Sequence, residues 1–332
     1  MEIIAEIAQG FEGNFNLAKK LVVDSSKTGA DYVKFHLIYA DELATEDYKH
    51  YKFLKKLEMK DLQWRKLNFI ARKKNIKLIF DVFGEKSLNL ALKLKTKKIK
   101  IHSTDLMNRD LIKNISKSKI KEVILGCGGA NKKEILLAYK FLKRKKLTFM
   151  TGFQSYPTPD SSNQISRISY LKNLFRSKKG INFGFADHAD PTKDLKYALS
   201  ASAIGAGASV IEKHFTLDRK LKLEDFETAF NKYEFKKFSK IIRNCFLAFG
   251  NTKEKKDDFG MHSKEYLYKR MTRRNIVAKF ELKKNSILKR SDFILRRSSS
   301  KYSIKDFSKI LGKRLLNKKK KNSSITKKDI FK

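Results

Sequence analysis

INFGFADHADPTKDLKYALSASAIGAGASVIEKHFTLD, residues 181–218, reads as strand, helix, strand. INFGFA is a short apolar run, and DHAD follows it at once. Asp190 is a candidate helix cap, and Pro191 suits a first helical position. Leu195, Ala198, Leu199 and Ser202 recur at i, i+3, i+4 and i+7, which predicts one apolar helix face. Gly205 and Gly207 close that helix. ASVIEK is a second apolar strand, with His214 at its far end. Two parallel strands joined by one helix put His188 and His214 at the same sheet edge, beside Asp187 and Glu212. Two imidazoles and carboxylates converging at strand C-termini suit a divalent transition metal. Taken alone, core or surface histidines fit the pattern equally well.

Working outward, the same alternation runs through the preceding 180 residues. EIIAEIA ends near Glu6, and YVKFH (32–36) carries Lys34 and His36. LIFDVF (78–83) carries Asp81, and IKIHS (99–103) carries Lys100, His102 and Ser103. EVILG (122–126) leads into the glycine-rich turn GCGGAN, and LTFMTGF (147–153) leads into QSYPTP, with Gln154 and Tyr156. Helical periodicity separates these runs. Eight strands alternating with eight helices predict a (β/α)8 TIM barrel, with a doubly wound open sheet as the alternative. In a barrel, Glu6, Lys34, Asp81, Lys100, Ser103, Gln154, His188 and His214 share one mouth. Lys34 and Lys100 stand among apolar neighbours, and a buried ammonium needs an anionic partner. With the backbone donors of GCGGAN they read as a pocket for phosphate and carboxylate.

Past the helix near 230–248 the texture changes. The barrel is expected over 1–250, a charged linker over 251–268 and a small mixed domain over 269–332. In the last stretch NIVAKFELKKNSILKRSDFILRR reads as short strands with turns at KKN and KRS. A short helix follows in SIKDFSKILGKRL.

Composition narrows the function classes. Hydrophobic residues make up 41% of the chain, enough for a sizeable core. No apolar run is long enough to span a membrane, and MEIIAEIAQG lacks the basic start of a secretory signal. Two cysteines do not make a disulfide framework, which fits a reducing cytoplasm. The 76 Lys and Arg against 35 Asp and Glu leave a net charge of +41. The lysines are spread along the chain without an aromatic ladder, so a compositional bias explains them better than nucleic-acid binding. Attraction of anionic metabolites follows from such a field.

With these motifs in hand, the chain resembles the bacterial sialic acid synthases, the group that makes N-acetylneuraminic, legionaminic and pseudaminic acids. AEI (5–7), GADYVKF (29–35), IKIHS, YPTP (156–159), DH (187–188) and VIEKHFTLDR (210–219) occur in the family's order. The last 60 or so residues resemble its antifreeze-like (SAF, β-clip-like) module, with FILRR where the family has a strand ending in KRP. The resemblance implies condensation of phosphoenolpyruvate with an N-acylated hexosamine aldehyde of the N-acetylmannosamine type, releasing phosphate. It implies a divalent ion on His188 and His214, Mn²⁺ with Mg²⁺ or Co²⁺ as alternatives. Lys34, Lys100 and Ser103 match donor-gripping positions, and Glu6 matches an acid near the reacting centre. Gln154 and Tyr156 fall in the substrate-binding turn. Asp225 matches an acceptor-binding aspartate. Arg297 matches an arginine reaching the partner subunit's site, which implies a domain-swapped homodimer.

Four departures stand against the family pattern. Asp81 replaces a hydroxyl in the family's Ser-Thr-Pro-Phe, and Gly126-Cys127-Gly128-Gly129 replaces Ser-Thr-Gly-Met. Gln154 replaces an asparagine, and Ala186 replaces a serine. Asp81 beside a phosphate is unfavourable unless it pairs with a lysine or a metal. Two other readings compete. A metal-dependent barrel hydrolase or isomerase would keep the histidines and drop phosphoenolpyruvate. A basic binding protein with a degenerate barrel would need neither.

Overall fold

The computed structural model describes residues 1–250, 260–300 and 302–330. Eight parallel strands close into a barrel in chain order. They are β1 Glu2–Ala8, β2 Tyr32–His36, β3 Lys77–Asp81, β4 Lys98–Ile101, β5 Glu122–Gly126, β6 Lys146–Thr151, β7 Ile181–Asp187 and β8 Val210–His214. β1 pairs with both β2 and β8, which shuts the ring. Helices fill the connections and cover the outside, so the chain builds the expected (β/α)8 barrel.

Local chemistry sets the helix starts. Asn14 accepts from the Asn16 and Leu17 amides at the start of helix Phe15–Ser25, whose buried face is Ala18, Leu21, Val22 and Ser25. Asn131 with Glu134, and Asn231 with Glu234, form reciprocal caps on helices Lys132–Leu142 and Lys232–Phe249. The helix after β7 begins later than its sequence pattern predicts. A 3₁₀ turn, Asp194–Lys196, precedes helix Ala198–Ala206. Asp190 serves a turn instead, accepting from the Thr192 amide at 2.8 Å. Leu195 is 38% exposed and so lies off the apolar face. Gly205 stays inside the helix, and Gly207 ends it at φ 114°, where a side chain would be strained.

Strand side chains alternate between the barrel interior and the layer under the helices. Inside, Ile4, Ile79, Ile124, Met150 and Val210 form an apolar plug. At the strand starts Lys98 pairs with Glu2 and Glu122, and its ammonium lies 4.4 Å from the Tyr32 ring centroid. Outside, Phe11, Phe35, Trp64 and Phe80 pack edge to face around Trp64, with centroids 5.4–5.6 Å apart.

A second compact unit follows the first, which ends at Gly250. Its strands β9 Asn275–Ala278 and β10 Phe293–Arg296 pair antiparallel. Its core includes Ile276, Leu282, Leu288, Phe293, Ile310, Leu315 and Ile325. Residues 251–259 of the expected linker lie outside the described residues. Its remaining end carries the start of a helix, Ser263–Thr272. The helix expected within 303–315 shrinks to one 3₁₀ turn, Phe307–Lys309. Among the described residues no helix is long and apolar enough to cross a membrane.

Trp64 is almost fully buried where β2, β3 and the first loop meet. Trp64→Ala should lower unfolding free energy by about 3–5 kcal/mol, as measured by urea denaturation. A loss under about 1 kcal/mol would show that this aromatic cluster does not organise the barrel wall.

Candidate active site

The strand ends meet in a small polar cavity. Glu6, His36, Asp81, Lys100, Gln154, Tyr156, His188, Glu212, His214 and Asp225 all line it. Strand parity explains the set. Glu212 and His214 are two apart on β8, and Lys34 and His36 are two apart on β2. Asp187 and Lys213 have the opposite parity and lie behind the wall.

Beneath the cavity five charged side chains form one network. The Lys34 ammonium touches the Glu6 carboxylate, lies 2.9 Å from Asp81 Oδ2 and 3.7 Å from Glu212 Oε2. Lys100 Nζ reaches Glu212 Oε1 at 2.6 Å, linking opposite sides of the barrel. His36 Nε2 lies 3.1 Å from Asp81 Oδ2. Burial pushes the Glu6 carboxyl up to about 7; Lys34 opposes the shift, and Glu212 and Asp81 add to it. Burial also works against ionised Asp81 and Glu212. There the lysines prevail, holding Asp81 well below the usual carboxylate range and Glu212 lower than usual. Burial would strip the Lys34 proton, but Asp81, Glu212 and Glu6 hold its affinity well above normal.

The histidines form the other half. Burial lowers His188 to about 4 and His214 well below the ordinary imidazole value. Their ring centroids are 5.4 Å apart, and the Tyr156 ring is 4.6 Å from that of His188. His188 Nδ1 lies 2.6 Å from the Phe153 carbonyl. An Nδ1–H donated there leaves the Nε2 lone pair for a ligand. Two neutral imidazoles with one nitrogen so fixed are chemically suited to hold a divalent ion. Glu6, His36 and Asp81 also bring ligand atoms within 4.8 Å of one another. That cluster fits an ion poorly, because the Lys34 ammonium already sits against both carboxylates.

A brace behind the wall aligns the two histidine strands. Asp187 and Lys213 are cross-strand partners, fully buried and 3.0 Å apart. Ser200 donates to Asp187 at 2.6 Å, and Lys213 donates to the Ala189 carbonyl at 2.8 Å. Asp187 reads as a neighbour of the metal site in the sequence, yet it faces away from it.

Other expected residues separate. Gln154 accepts from the Tyr156 hydroxyl at 3.1 Å. Asp225 Oδ2 is 3.8 Å from His214 Nδ1. Ser103 opens a 3₁₀ turn, Ser103–Asp105, and is not among the residues lining the cavity. Arg297 is exposed in the second unit, where its Nε donates to the Thr272 carbonyl at 3.2 Å. The GCGGAN turn does not line the cavity either. Cys127 N donates to Met150 O, Asn131 caps a helix, and Cys127 and Ala130 line a separate pocket with Ile135 and Tyr170. Gly126 has a steric reason: a Cβ there would come 2.9 Å from the Ser103 nitrogen. His36, His102 and Glu212 were readable in the sequence, yet only strand parity with Lys34, Lys100 and His214 marks them as cavity residues.

His36 and His102 also line a larger cleft of about 1230 Å³ that adjoins the cavity. Its far wall comes from residues 41–54, read from sequence as a polar loop. In fact two short helices, Ala40–Leu43 and Tyr51–Lys56, pack Leu43, Phe53 and Leu54 against Ile38, Leu57 and Phe83.

Comparison with known proteins follows the same outline. The NeuB family pattern matches residues 21–254. The chain is 29% identical to an N,N'-diacetyllegionaminic acid synthase of Campylobacter jejuni, over 94% of each chain. It is 25% identical to a pseudaminic acid synthase of the same species, over 94% of this chain and 91% of that one. The crystal structure of an N-acetylneuraminic acid synthetase from Leptospira borgpetersenii superposes with a TM-score of 0.71 at 25% identity. It covers 80% of this chain and 90% of that one.

The Glu6 titration carries a pH prediction. Its folded value of about 7 exceeds the ordinary 4.5. Stability from the bound proton is therefore full below about pH 4.5 and is lost as pH rises through about 7. Glu6→Gln should remove about 3 kcal/mol of pH dependence from the unfolding free energy between about pH 4.5 and 7. Urea melts across that range test it, and an unchanged slope would refute the assignment.

Proposed function

The chain belongs to the NeuB family, and from that premise we propose that it joins phosphoenolpyruvate to an N-acylated hexosamine aldehyde. The products are a nonulosonic acid and phosphate. The observation that carries this reading is the pairing of two buried lysines with two neutral histidines at one barrel mouth. Sugar hydrolysis or isomerisation needs no such lysines, and the named relatives are acid synthases.

In this reading Lys100, which lines the cavity, holds the donor's anionic groups, and Lys34 supplies positive charge from beneath the cavity floor. C3 of phosphoenolpyruvate attacks the aldehyde carbon, water adds to the cationic C2, and the resulting tetrahedral centre loses phosphate. Glu6, protonated near neutrality, is placed to give or take a proton at that centre. Asp81 serves Lys34 and His36 rather than facing a phosphate openly. Gln154, Tyr156 and Asp225 border the donor cavity, and Asp225 directly follows Glu224 of the adjoining cleft. NeuB-family synthases depend on a divalent metal. His188 and His214 would hold it, Mn²⁺ first among the choices, and it would act as a Lewis acid on the aldehyde oxygen. Two free thiols, Cys127 and Cys245, suit a cytoplasmic setting. The second unit is read as an antifreeze-like (SAF) domain that completes a neighbour's site through Arg297 in a domain-swapped homodimer.

Phosphate release from phosphoenolpyruvate with N-acetylhexosamines and Mn²⁺ tests the reaction. Chelation or His188→Ala should abolish it. Lys100→Ala should weaken donor binding about 10- to 150-fold and acceptor binding far less. Equal donor binding by calorimetry in wild type and Lys100→Ala would reject the anion pocket. For the second unit, Arg297→Ala should raise the acceptor KM and leave the donor KM alone, and sedimentation should give a dimer. A fully active monomer would count against the swapped arrangement.

A further inference from the structure

Joining phosphoenolpyruvate to an aldehyde leaves one proton transfer unassigned. As the carbon–carbon bond forms, the carbonyl π pair moves onto the aldehyde oxygen, which must gain a proton to become a hydroxyl. A Lewis acid stabilises charge on that oxygen without supplying the proton. Glu6 is assigned to the donor's C2, so the aldehyde oxygen needs an acid of its own. His36 has the position for it. Its ring lines both the donor cavity and the adjoining cleft of about 1230 Å³, and so stands where two substrates would meet. His36 Nε2 lies 3.1 Å from Asp81 Oδ2. The lysines hold Asp81 ionised, so an Nε2–H is donated to it and the other ring nitrogen is left for chemistry. That nitrogen, Nδ1, is buried and has no hydrogen-bond partner among the described residues. Buried polar atoms seldom stay unpaired unless a ligand or a functional role explains them. An imidazole held on one nitrogen by a buried carboxylate, with the other free, is the arrangement that moves protons in hydrolase triads.

The other imidazoles at the mouth are committed elsewhere. His102 also lines both spaces, but its Nδ1 accepts from the Thr104 amide at 3.4 Å, and burial lowers it to about 4. It is therefore neutral near pH 7, and a neutral imidazole is a weak acid. His188 and His214 are kept neutral in the same way. Among the described residues, His36 is the one imidazole of the four lining the cavity that has a carboxylate within hydrogen-bond distance. Glu6 and Lys34 adjoin the same carboxylate network, Lys100 and Glu212 face it across the mouth, and Asp225 stands in the loop after β8.

We propose, resting on the synthase reading above, that His36, oriented by Asp81, protonates the aldehyde oxygen while the carbon–carbon bond forms. The imidazolium gives its Nδ1 proton to that oxygen and ends neutral. The water that adds at C2 carries two protons. One restores His36, and the other leaves on the phosphate, so no outside acid is consumed. Asp81, standing where the sequence resemblance implies a hydroxyl, is then a positioning residue for His36 as well as a partner of Lys34.

The test is phosphate release from phosphoenolpyruvate by the full chain with Mn²⁺ and the N-acetylhexosamine that the wild type uses best. His36→Gln keeps a polar side chain in place. It should lower kcat at least about 100-fold and move the donor KM by less than about 3-fold. His36→Ala should lose as much, and added imidazole should restore at least about 10-fold of that loss. A residue that only supports the wall would show no such rescue. Asp81→Asn should also lower kcat, by about 10-fold or more, and imidazole should not restore it, because His36 is still present. Circular dichroism checks that each variant is folded. A kcat within about 3-fold of wild type in His36→Gln, or a folded His36→Ala that imidazole leaves inactive, would overturn the proposal. No release by the wild type with any N-acetylhexosamine would overturn the synthase reading itself, and this inference with it.

Discussion

Everything at the mouth depends on ammonium groups held away from water. Lys34 is fully buried, and Glu6, Asp81 and Glu212 surround it. Such a network is poor insurance for stability, because apolar residues of the same volume would fill the space at less desolvation cost. What it provides is a set of charges fixed in place before a ligand arrives, in a medium where charge acts strongly. The rest of the barrel supports that arrangement. The apolar plug of Ile4, Ile79, Ile124, Met150 and Val210 shuts off the floor below it. The Asp187–Lys213 brace aligns the two strands that carry the histidines.

Parity along each strand decides which residues join the network, and this is where sequence reading is strongest and weakest. The barrel was legible because eight apolar runs alternate with helical periodicity, and because polar residues punctuate the ends of those runs. Lys34, Lys100, His188 and His214 were legible as ions or ligands interrupting apolar strands. Glu212 and Asp187 look alike in sequence, each preceding a histidine by one or two positions. One extra residue sends Asp187 to the helix layer, where it meets Lys213 and Ser200, while Glu212 points at Lys100. His36 follows the same parity as Lys34 but reads as a strand-end residue until Asp81 is seen beside it.

Loops were less legible, because their structure comes from contacts that no local pattern encodes. GCGGAN has the composition of an anion nest, yet its Cys127 amide is committed to β6 and Gly126 is small because the Ser103 backbone presses on it. Residues 37–58 looked polar and formless. Leu43, Phe53 and Leu54 gain their meaning only against Phe83 from β3's exit. Asp190 and Pro191 match a helix start, but the Thr192 contacts make a turn more favourable there.

Charge balance then explains why Asp81 can stand where the sequence resemblance implies a hydroxyl. Asp81 and Glu212 are held ionised and offset Lys34 and Lys100, while Glu6 keeps its proton to about 7. Side chains under the cavity therefore come close to neutral near pH 7. A donor bearing phosphate and carboxylate brings charge that these lysines no longer balance alone. Neutral imidazoles at His188 and His214 add none, so a cation bound there would supply the compensating charge. A chain with a hydroxyl at position 81 would retain one more unmatched ammonium and lean less on that cation. On this argument Asp81→Ser should tighten phosphoenolpyruvate in the absence of metal and reduce the gain in donor affinity that Mn²⁺ provides. Calorimetry with and without Mn²⁺ separates the two effects, and an unaltered metal dependence would show that Asp81 acts on Lys34 through position alone.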